Sequence, residues 1–538
     1  MNRRLVAVIA VVTIIVLGVG GGVTTALLVG DDDEPTAQRS EGPADADAPA
    51  ATPSDEPSDE PSPSDAAPGA PAGPVPEGLD DFYTQQIDWQ SCGSNECGTL
   101  TVPVDYGEPD GETIDLNLER ALAGDQASRV GSLVVNPGGP GAPGTTMAEQ
   151  ASSYFRPQLL DRVDIVAFDP RGTGESSPVD CLSDSELDAF IAADPTPDDA
   201  AEAEQTAENQ QAFFEGCVAN SGPVVGHVST VEAARDMDVL RAALGEEKLS
   251  YLGFSYGTKL GATYAELFPG NVGRFVLDGA IDPTLSTRED SLSQAAGFQT
   301  ALNAYVDNCL EGDCFLGGSR EEALETIRGL LDSIEQQPLP TSGDRELEIG
   351  NAFYGVVLPL YSEDNWPLLD QGLQEALDGN GDTLLLLSDF YGSRESDGSY
   401  ADNSLEAIVA INCLDDPSFI EPSEVPAELP AFREASPTFG DVFAWGLVGC
   451  RGLQVEAAEP EPEIRAEGAA PIVVVGTTRD PATPYEEAVA LAEQLESGVL
   501  LSRDGDGHTA YNKGNDCIDE AVEGYLLDGE VPADGTEC

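Results

Sequence analysis

The stretch LSYLGFSYGTKLGATYAELF, residues 249–268, decides the fold of this chain. Its first residues form a compact run of β-forming side chains, and its last residues are compatible with a helix. Between them lies GFSYG (residues 253–257), the Gly-x-Ser-x-Gly pattern of a tight strand-to-helix turn. Glycines flank the serine because such a turn is crowded and strained. The pattern in this context predicts that Ser255 presents a nucleophilic hydroxyl at the end of a sheet strand.

A serine hydroxyl is a weak nucleophile and needs a base, usually an oriented imidazole. The chain contains two histidines, His227 and His508. Around this kind of turn the acid and then the histidine follow the serine along the chain. Only His508 fits that order, so we predict that His508 is the base and that His227 has a structural or surface role.

The acid that orients the imidazole must lie between the serine and the histidine. Asp480 follows the β-rich run 472–475 within GTTRDPATP, so a carboxylate at the end of that strand can reach the base. Asp278, which follows the run 274–277, is the main rival. Asp504 and Asp506 are too close to the histidine in sequence to reach it comfortably. We predict Asp480 as the acid.

Two backbone N–H groups are expected to stabilise an oxyanion. One is that of Tyr256, directly after the nucleophile. The other is expected in NPGGPG (residues 136–141), a loop that follows the β-rich run 131–136. Because Pro140 has no N–H to donate, Gly139 is the better donor.

The β-rich runs alternate with segments of helical length and pattern. Strands separated in this way predict parallel β-α-β units and an open sheet with helices on both faces. Ligands of such sheets bind beyond the carboxyl ends of the strands, where the loops described above fall. The β-rich runs are residues 131–136, 163–168, 249–254, 274–277 and 472–475.

Four motifs together resemble one family. NPGGPG, FDPRGTGES (168–176), GFSYGT (253–258) and GTTRDPATP (476–484) are similar to motifs of the proline iminopeptidase clan of α/β-hydrolases. They resemble more closely the secreted tripeptidyl aminopeptidases of actinobacteria, with their TAP-like C-terminal region. The wider clan has His-Gly-Gly-Pro-Gly in the first loop, where this chain and the closer group have Pro137.

The resemblance implies an α/β-hydrolase fold and a serine exopeptidase that removes short peptides from free N-termini. By motif match, the triad would be Ser255, Asp480 and His508. A carboxylesterase or lipase on the same triad is the main alternative. Release of single residues, as by a prolyl iminopeptidase, is another, and a surface binding protein with a vestigial hydrolase domain is a third.

The gap between the serine and the acid exceeds what the sheet requires. We therefore expect a mainly helical cap over residues 285–445, inserted between core parts 79–284 and 446–538. An aminopeptidase must bind an ammonium group, which needs a carboxylate in a partly desolvated pocket. Asp415 and Asp416 are candidates because a disulfide could fix them, although they can also be ordinary solvated acids.

The composition limits the partners of the chain. Its 538 residues contain 99 acidic and 24 basic side chains, a formal charge of −75, which argues against nucleic acid as a partner. The expected partners are peptide substrates. No Cys-x-x-Cys pair with matching histidines occurs, so we expect no metal and no cofactor.

The ten cysteines are an even number, as expected in an oxidising compartment. Pairing of neighbours is the simplest hypothesis among the many connectivities that ten cysteines allow. It predicts five disulfides: Cys92–Cys97, Cys181–Cys217, Cys309–Cys314, Cys413–Cys450 and Cys517–Cys538.

The N-terminus predicts an extracellular location. Two arginines precede an uncharged stretch, residues 5–30, that is long enough to span a hydrocarbon core of ~30 Å and is followed by acids. Residues 1–30 are thus predicted to be a membrane anchor or, alternatively, a cleaved signal. The Pro- and acid-rich residues 31–78 read as an extended stalk. The chain is expected on the outer face of the membrane, or secreted.

Overall fold

In the computed structural model, which describes residues 75–538, one sheet contains ten strands in the order β1-β2-β3-β5-β4-β6-β7-β8-β9-β10. Strands β1 to β3 and the β3–β5 pair are antiparallel, and all other neighbours are parallel. The predicted mostly parallel α/β sheet is therefore confirmed. The strands are β1 (Gln90–Cys92), β2 (Asn95–Pro103), β3 (Thr113–Ala121), β4 (Gly131–Asn136), β5 (Val163–Phe168), β6 (Leu249–Phe254), β7 (Val272–Asp278), β8 (Ile472–Arg479), β9 (Gly498–Asp506) and β10 (Thr536–Glu537).

The central strands are buried on both faces because helices cover the sheet on each side. Every residue of β5 is buried, as expected for a parallel strand that reads as a continuous apolar run. Two separate apolar clusters, one on each face, hold the layers together. The helices that cover the sheet are Thr145–Glu149, Ala151–Tyr154, Pro157–Arg162, Thr230–Ala243, Tyr256–Leu267, Tyr485–Gln494 and Asp516–Asp528, and the short helix Asp80–Tyr83 precedes β1.

A helical insertion separates β7 from β8, as predicted from the length of that gap. Apart from short 3-10 turns and two isolated β-bridges, its regular elements are helices, and it has an apolar core of its own. Its helices are Thr287–Leu310, Arg320–Gln336, Ile349–Val357, Trp366–Leu377, Asp382–Tyr391, Ser404–Asp415, Val425–Ala435 and Gly440–Gly446. Residues 75–538 belong to one compact unit, so the core and cap boundaries at residues 285 and 445 stay predictions.

A second group of helices packs against the helical insertion, and the sequence did not predict it. Helices Asp184–Ala192 and Ala200–Ser221 lie between β5 and β6. Asp188 accepts hydrogen bonds from Arg394 Nε at 2.5 Å and Nη2 at 2.8 Å. A side chain at Gly350 would meet the carbonyl oxygen of Ile191 at 2.2 Å, so the two backbones are in close contact.

All five disulfides join the neighbouring cysteines that were predicted: Cys92–Cys97, Cys181–Cys217, Cys309–Cys314, Cys413–Cys450 and Cys517–Cys538. The described residues contain no free cysteine. Fully paired cysteines are typical of proteins that mature in an oxidising compartment.

The predicted anchor or signal (1–30) and nearly all of the predicted stalk (31–78) lie outside the described residues. Within residues 75–538, no helix combines the length and the apolar composition needed to cross a bilayer.

Candidate active site

Ser255 lies at the sharp turn between β6 and the helix Tyr256–Leu267, with φ +55° and ψ −126°. A non-glycine residue with positive φ is strained, and such strain is found at functional turns. The turn depends on its glycines. A side chain at Gly253 would lie 2.4 Å from the carbonyl oxygen of Gly257, and one at Gly257 would lie 2.9 Å from Oδ1 of Asn136. The predicted strand-turn-helix context of Ser255 is thus present.

His508 follows β9, and its Nδ1 lies 2.8 Å from Oδ1 and 2.9 Å from Oδ2 of Asp480. Both side chains are buried, with residue exposures of 8% for His508 and 2% for Asp480. The carboxylate is itself fixed, because it accepts backbone N–H bonds from Ala482 and Thr483 at its Oδ1 and from Thr509 at its Oδ2. The imidazole is therefore held by Nδ1, which leaves Nε2 for a reacting group.

Asp278, the rival acid, occupies a different position. Its fully buried carboxylate accepts the backbone N–H groups of Ala510 and Tyr511, at 2.8 to 3.1 Å. Burial raises the pKa of this carboxyl group to about 6. The structure thus pairs the imidazole of His508 with Asp480 and directs Asp278 to the backbone of the following loop.

The serine and the histidine converge on residues 278 and 279. The Ser255 N–H donates to the carbonyl oxygen of Asp278 at 2.9 Å. Gly279, with φ +70°, comes next, and a side chain there would lie 3.2 Å from Cε1 of His508. The strand-to-helix turn that carries Ser255 and the loop that carries His508 therefore share one end of β7, at the carboxyl edge of the parallel strands.

The glycine-rich loop after β4 packs directly on the turn that carries Ser255. A side chain at Gly138 would lie 2.9 Å from Cβ of Ser255 and 3.1 Å from the backbone nitrogen of Tyr256. The N–H of Gly138 is already used, since it donates to Oδ1 of Asn136 at 2.9 Å. Gly138 and Gly139 both have positive φ, +97° and +108°. The loop thus passes beside the Tyr256 amide at Gly138, and the role of the Gly139 N–H in an oxyanion hole stays a prediction.

Sequence reasoning missed the role of Gly138, which lets the loop approach the nucleophile. The signal was the first glycine of NPGGPG, a position where a side chain would collide with the turn that carries Ser255. It also missed Thr483, whose Oγ1 lies 3.3 Å from Nδ1 of His508. Nothing in the sequence separates this threonine from its neighbours.

The candidate acids for binding a substrate ammonium group are engaged elsewhere. Asp415 accepts hydrogen bonds from Thr230, through its N–H at 2.8 Å and its hydroxyl at 2.5 Å, and pairs with Lys259 at 3.1 Å. Asp416 accepts the Thr287 hydroxyl at 2.5 Å and the Ser418 N–H at 3.0 Å. The predicted role of these two carboxylates gains no support from the geometry, because their oxygens are already used to join elements of the fold.

His227 lies in a cluster of charged residues with Glu232, Arg171 and Asp236. Its Nδ1 is 2.8 Å from Oε1 of Glu232, and its carbonyl oxygen accepts a hydrogen bond from Arg171. Arg171, from the FDPRGTGES motif, is fully buried and donates both Nε and Nη2 to Asp236 at 2.7 Å. This cluster fixes the loop after β5 to the helix Thr230–Ala243, a structural position for His227.

No group of three metal-ligating atoms among the described residues includes Asp480 or His508. The arrangement as a whole combines a serine on a strained turn, an imidazole held by a carboxylate and a glycine loop beside the backbone amide of Tyr256. These are the parts that nucleophilic acyl transfer requires.

Comparison with known proteins identifies similar chains. The family model of the TAP-like protein matches residues 436–538. Serine protease Hip1 of Mycobacterium tuberculosis is 40% identical over 478 residues, covering 84% of this chain and 91% of that protein. Carboxylesterase B of the same organism is 38% identical over 475 residues, covering 84% and 90%. Tripeptidyl aminopeptidase of Streptomyces lividans is 31% identical over 470 residues, covering 84% and 86%.

Proposed function

Because this chain belongs to the α/β-hydrolase family that includes serine protease Hip1 and the Streptomyces tripeptidyl aminopeptidases, we propose that it is an extracellular serine exopeptidase. It releases short peptides, tripeptides first among them, from substrates with a free N-terminus. The observation that carries the proposal is the buried contact of His508 Nδ1 with both carboxylate oxygens of Asp480, at 2.8 and 2.9 Å.

In the proposed mechanism, Ser255 Oγ attacks the scissile carbonyl while His508 Nε2 takes its proton. Asp480 keeps the remaining proton on Nδ1 and stabilises the imidazolium that forms. The backbone N–H groups of Gly139 and Tyr256 donate to the oxyanion. His508 then protonates the leaving amine, and water, activated by the same imidazole, hydrolyses the acyl-enzyme on Ser255.

The exopeptidase mode is supported by the position of the helical insertion. The His508 N–H donates to the carbonyl oxygen of Tyr361, in the insertion, at 2.9 Å. An insertion that contacts the base on one side limits the length of chain that can pass the nucleophile, which favours cleavage near a terminus. The formal charge of −75 also favours an ammonium group over a neutral blocked end.

The five disulfides support an extracellular location. We also propose that residues 1–30 anchor the protein in the membrane, with a cleaved signal as the alternative. Mass spectrometry of the mature protein distinguishes the two, since cleavage removes the N-terminal peptides.

A carboxylesterase is the second candidate, because a relative that is 38% identical carries that name. The same serine, histidine and acid serve either acyl group. The test is an assay of the purified enzyme on an Ala-Ala-Pro amide, its N-acetylated form and a short acyl ester. The proposal expects cleavage of the free amide and at least a 100-fold loss on acetylation. Ester turnover without amide cleavage favours the esterase.

A further inference from the structure

Asp278 joins the two halves of the site through two different groups. Its backbone carbonyl oxygen accepts the N–H of Ser255 at 2.9 Å. Its side chain accepts the N–H groups of Ala510, at 2.9 and 3.1 Å, and of Tyr511, at 2.8 Å. These two residues begin two positions after His508. One residue therefore fixes the backbone of the nucleophile and, on the other side, the loop of the base.

We propose that Asp278 is a positioning residue for the acyl-transfer reaction, holding the His508 loop in register with Ser255. The proposal rests on the function proposed above. Asp278 touches neither the reacting atoms nor the imidazole nitrogens in this arrangement, and it acts through the backbone of residues 508–511. Asp480 sets the tautomer of His508, whereas Asp278 sets the place of its loop.

The carboxylate is a costly choice at this position. Asp278 is fully buried, and its carboxylate accepts hydrogen bonds from two backbone N–H groups. A buried charge costs more than a neutral acceptor of the same shape. A group that only filled the core would be apolar, so a carboxylate here indicates that strong bonds to the loop are needed.

The same cost makes the contact sensitive to pH. Burial raises the pKa of Asp278 to about 6, against the partly compensating N–H bonds of Tyr511 and Ala510. The charged groups that face it are His508 and Asp480, together with Lys513 from the same loop. Burial lowers the pKa of Lys513 to about 8, so this lysine stays charged over the acid range that matters here.

The direction of the effect on stability follows from the raised pKa. The contribution of Asp278 to folding stability is largest below its unfolded pKa and is lost as the pH rises through about 6. At pH 7.5 the ionised carboxylate therefore lowers the stability of the fold. Asp278→Asn removes this charge but also places an NH2 group against the N–H groups of the loop. Because the two effects oppose each other, the Tm should change little at that pH.

Unlike the Tm, the catalytic rate should change strongly in Asp278→Asn. Asn offers one acceptor oxygen and an NH2 group that opposes the loop amides, so the histidine loop shifts. A displacement of the order of 1 Å can cost about 100-fold in rate. Asp278→Asn should lower kcat by about 10–100-fold with KM within about 2-fold.

The matched control is Asp504→Asn. Asp504 lies four residues before His508 in sequence but is largely exposed and pairs with Arg479 at 2.9 Å. The same chemical change there should leave kcat within about 2-fold of the wild type. The two variants therefore separate loss of charge near the histidine loop from loss of the buried anchor.

The experiment compares wild type, Asp278→Asn and Asp504→Asn by kcat and KM, by Tm at pH 7.5, and by the rate at which a fluorophosphonate labels Ser255. Asp278→Asn is expected to slow labelling and lower kcat in parallel while Tm changes little. In the wild type, the slope of log kcat/KM against pH on the acid side should be greater than 1. In Asp278→Asn this slope should be 1, because one titrating group has been removed. A folded variant with wild-type kcat and labelling overturns the proposal.

Hydrogen exchange of the wild-type segment 507–513 keeps the proposal testable if the variant fails to fold. The protection factors of the Ala510 and Tyr511 amides should fall as the pH drops through about 6. Protection that is unchanged from pH 7.5 to pH 5 overturns the proposal. Because labelling needs no peptide, a wild-type enzyme that is labelled but cleaves no peptide refutes the proposed function alone.

Discussion

The imidazole of His508 and the phenol ring of Tyr361 meet edge to face, with ring centroids 5.5 Å apart and an angle of 87° between their planes. Tyr361 belongs to the helical insertion, in a 3-10 turn, Leu358–Tyr361, that follows the helix Ile349–Val357. The insertion therefore forms one wall around the proposed base. Its contribution to catalysis can be separated from that of the sheet by changing this ring.

Tyr361→Ala is expected to lower kcat by up to about 10-fold, because an edge-to-face aromatic pair is worth about 0.5–1.5 kcal/mol and its loss frees the imidazole to rotate. Tyr361→Phe keeps the ring and is the matched control, with kcat within about 2-fold of the wild type. Steady-state assays on one substrate measure both. Equal rates for the Ala variant and the wild type would show that the wall does not position the base.

Asp480→Asn is expected to lower kcat by about 10⁴-fold, because the amide favours the wrong tautomer of His508 while the fold is kept. KM should change much less. The measurement is kcat and KM beside the Tm, with Asp504→Asn as the control. An Asp480→Asn enzyme within 10-fold of the wild type would instead assign the orienting role to another acid.

The site could be predicted from sequence wherever its parts are local. The GFSYG turn specifies its own strained backbone, so Ser255 and the Tyr256 amide followed from it, and the order along the chain selected His508. Asp480 and Asp278 could not be separated with certainty from sequence. Both end parallel strands, and only the packing shows which of them faces the imidazole and which faces the loop.

The parts that depend on packing between distant segments were not predictable. Helices Asp184–Ala192 and Ala200–Ser221 join the helical insertion through contacts such as Asp188 with Arg394, between residues 206 positions apart. Asp415 looked like an available acid because Lys259 and Thr230, its partners, are far away in the sequence. Among 99 acidic residues, composition alone does not show which are already paired.

Lys259→Met should lower the free energy of unfolding by about 3–5 kcal/mol, because it leaves two acids without their cation. Lys259 Nζ lies 3.1 Å from Asp415 and 2.5 Å from Glu461, and the side chain is 16% exposed. Urea unfolding measures the change. Lys248→Met, at an exposed lysine that donates to the Val272 carbonyl oxygen, should cost less than about 1 kcal/mol. If the two variants lose the same free energy of unfolding, the buried ion pairs of Lys259 do not stabilise the fold more than an exposed lysine does.

The buried carboxyl group of Glu487 should make the fold less stable as the pH rises towards about 8. Its side chain is buried, accepts the Ser293 hydroxyl at 2.6 Å and has its pKa raised to about 8 by burial, with Asp290 and Asp282 adding to the effect. Because the folded pKa exceeds the unfolded one, the stability that it contributes is lost as the pH rises through about 8. Between the ordinary glutamate pKa of 4.5 and the folded value of about 8, this contribution falls by about 1.4 kcal/mol per pH unit.

Glu487→Gln should remove this slope, so that its Tm exceeds that of the wild type increasingly from pH 6 to pH 8.5. Thermal unfolding at several pH values measures the difference. Glu486→Gln, at the exposed neighbouring position, is the control and should follow the wild type. Parallel Tm curves for the Glu487 variant and the wild type would contradict the prediction.

The central claim is that Ser255 is a nucleophile activated by His508. Its most direct test is mass spectrometry of the protein after reaction with a fluorophosphonate, followed by digestion and peptide mapping. We predict one added phosphonyl group, on the peptide that contains Ser255. Ser255→Ala should show none, and the rate of modification in His508→Ala should fall by at least 10³-fold. Modification at another serine, or an undiminished rate without His508, would contradict the account.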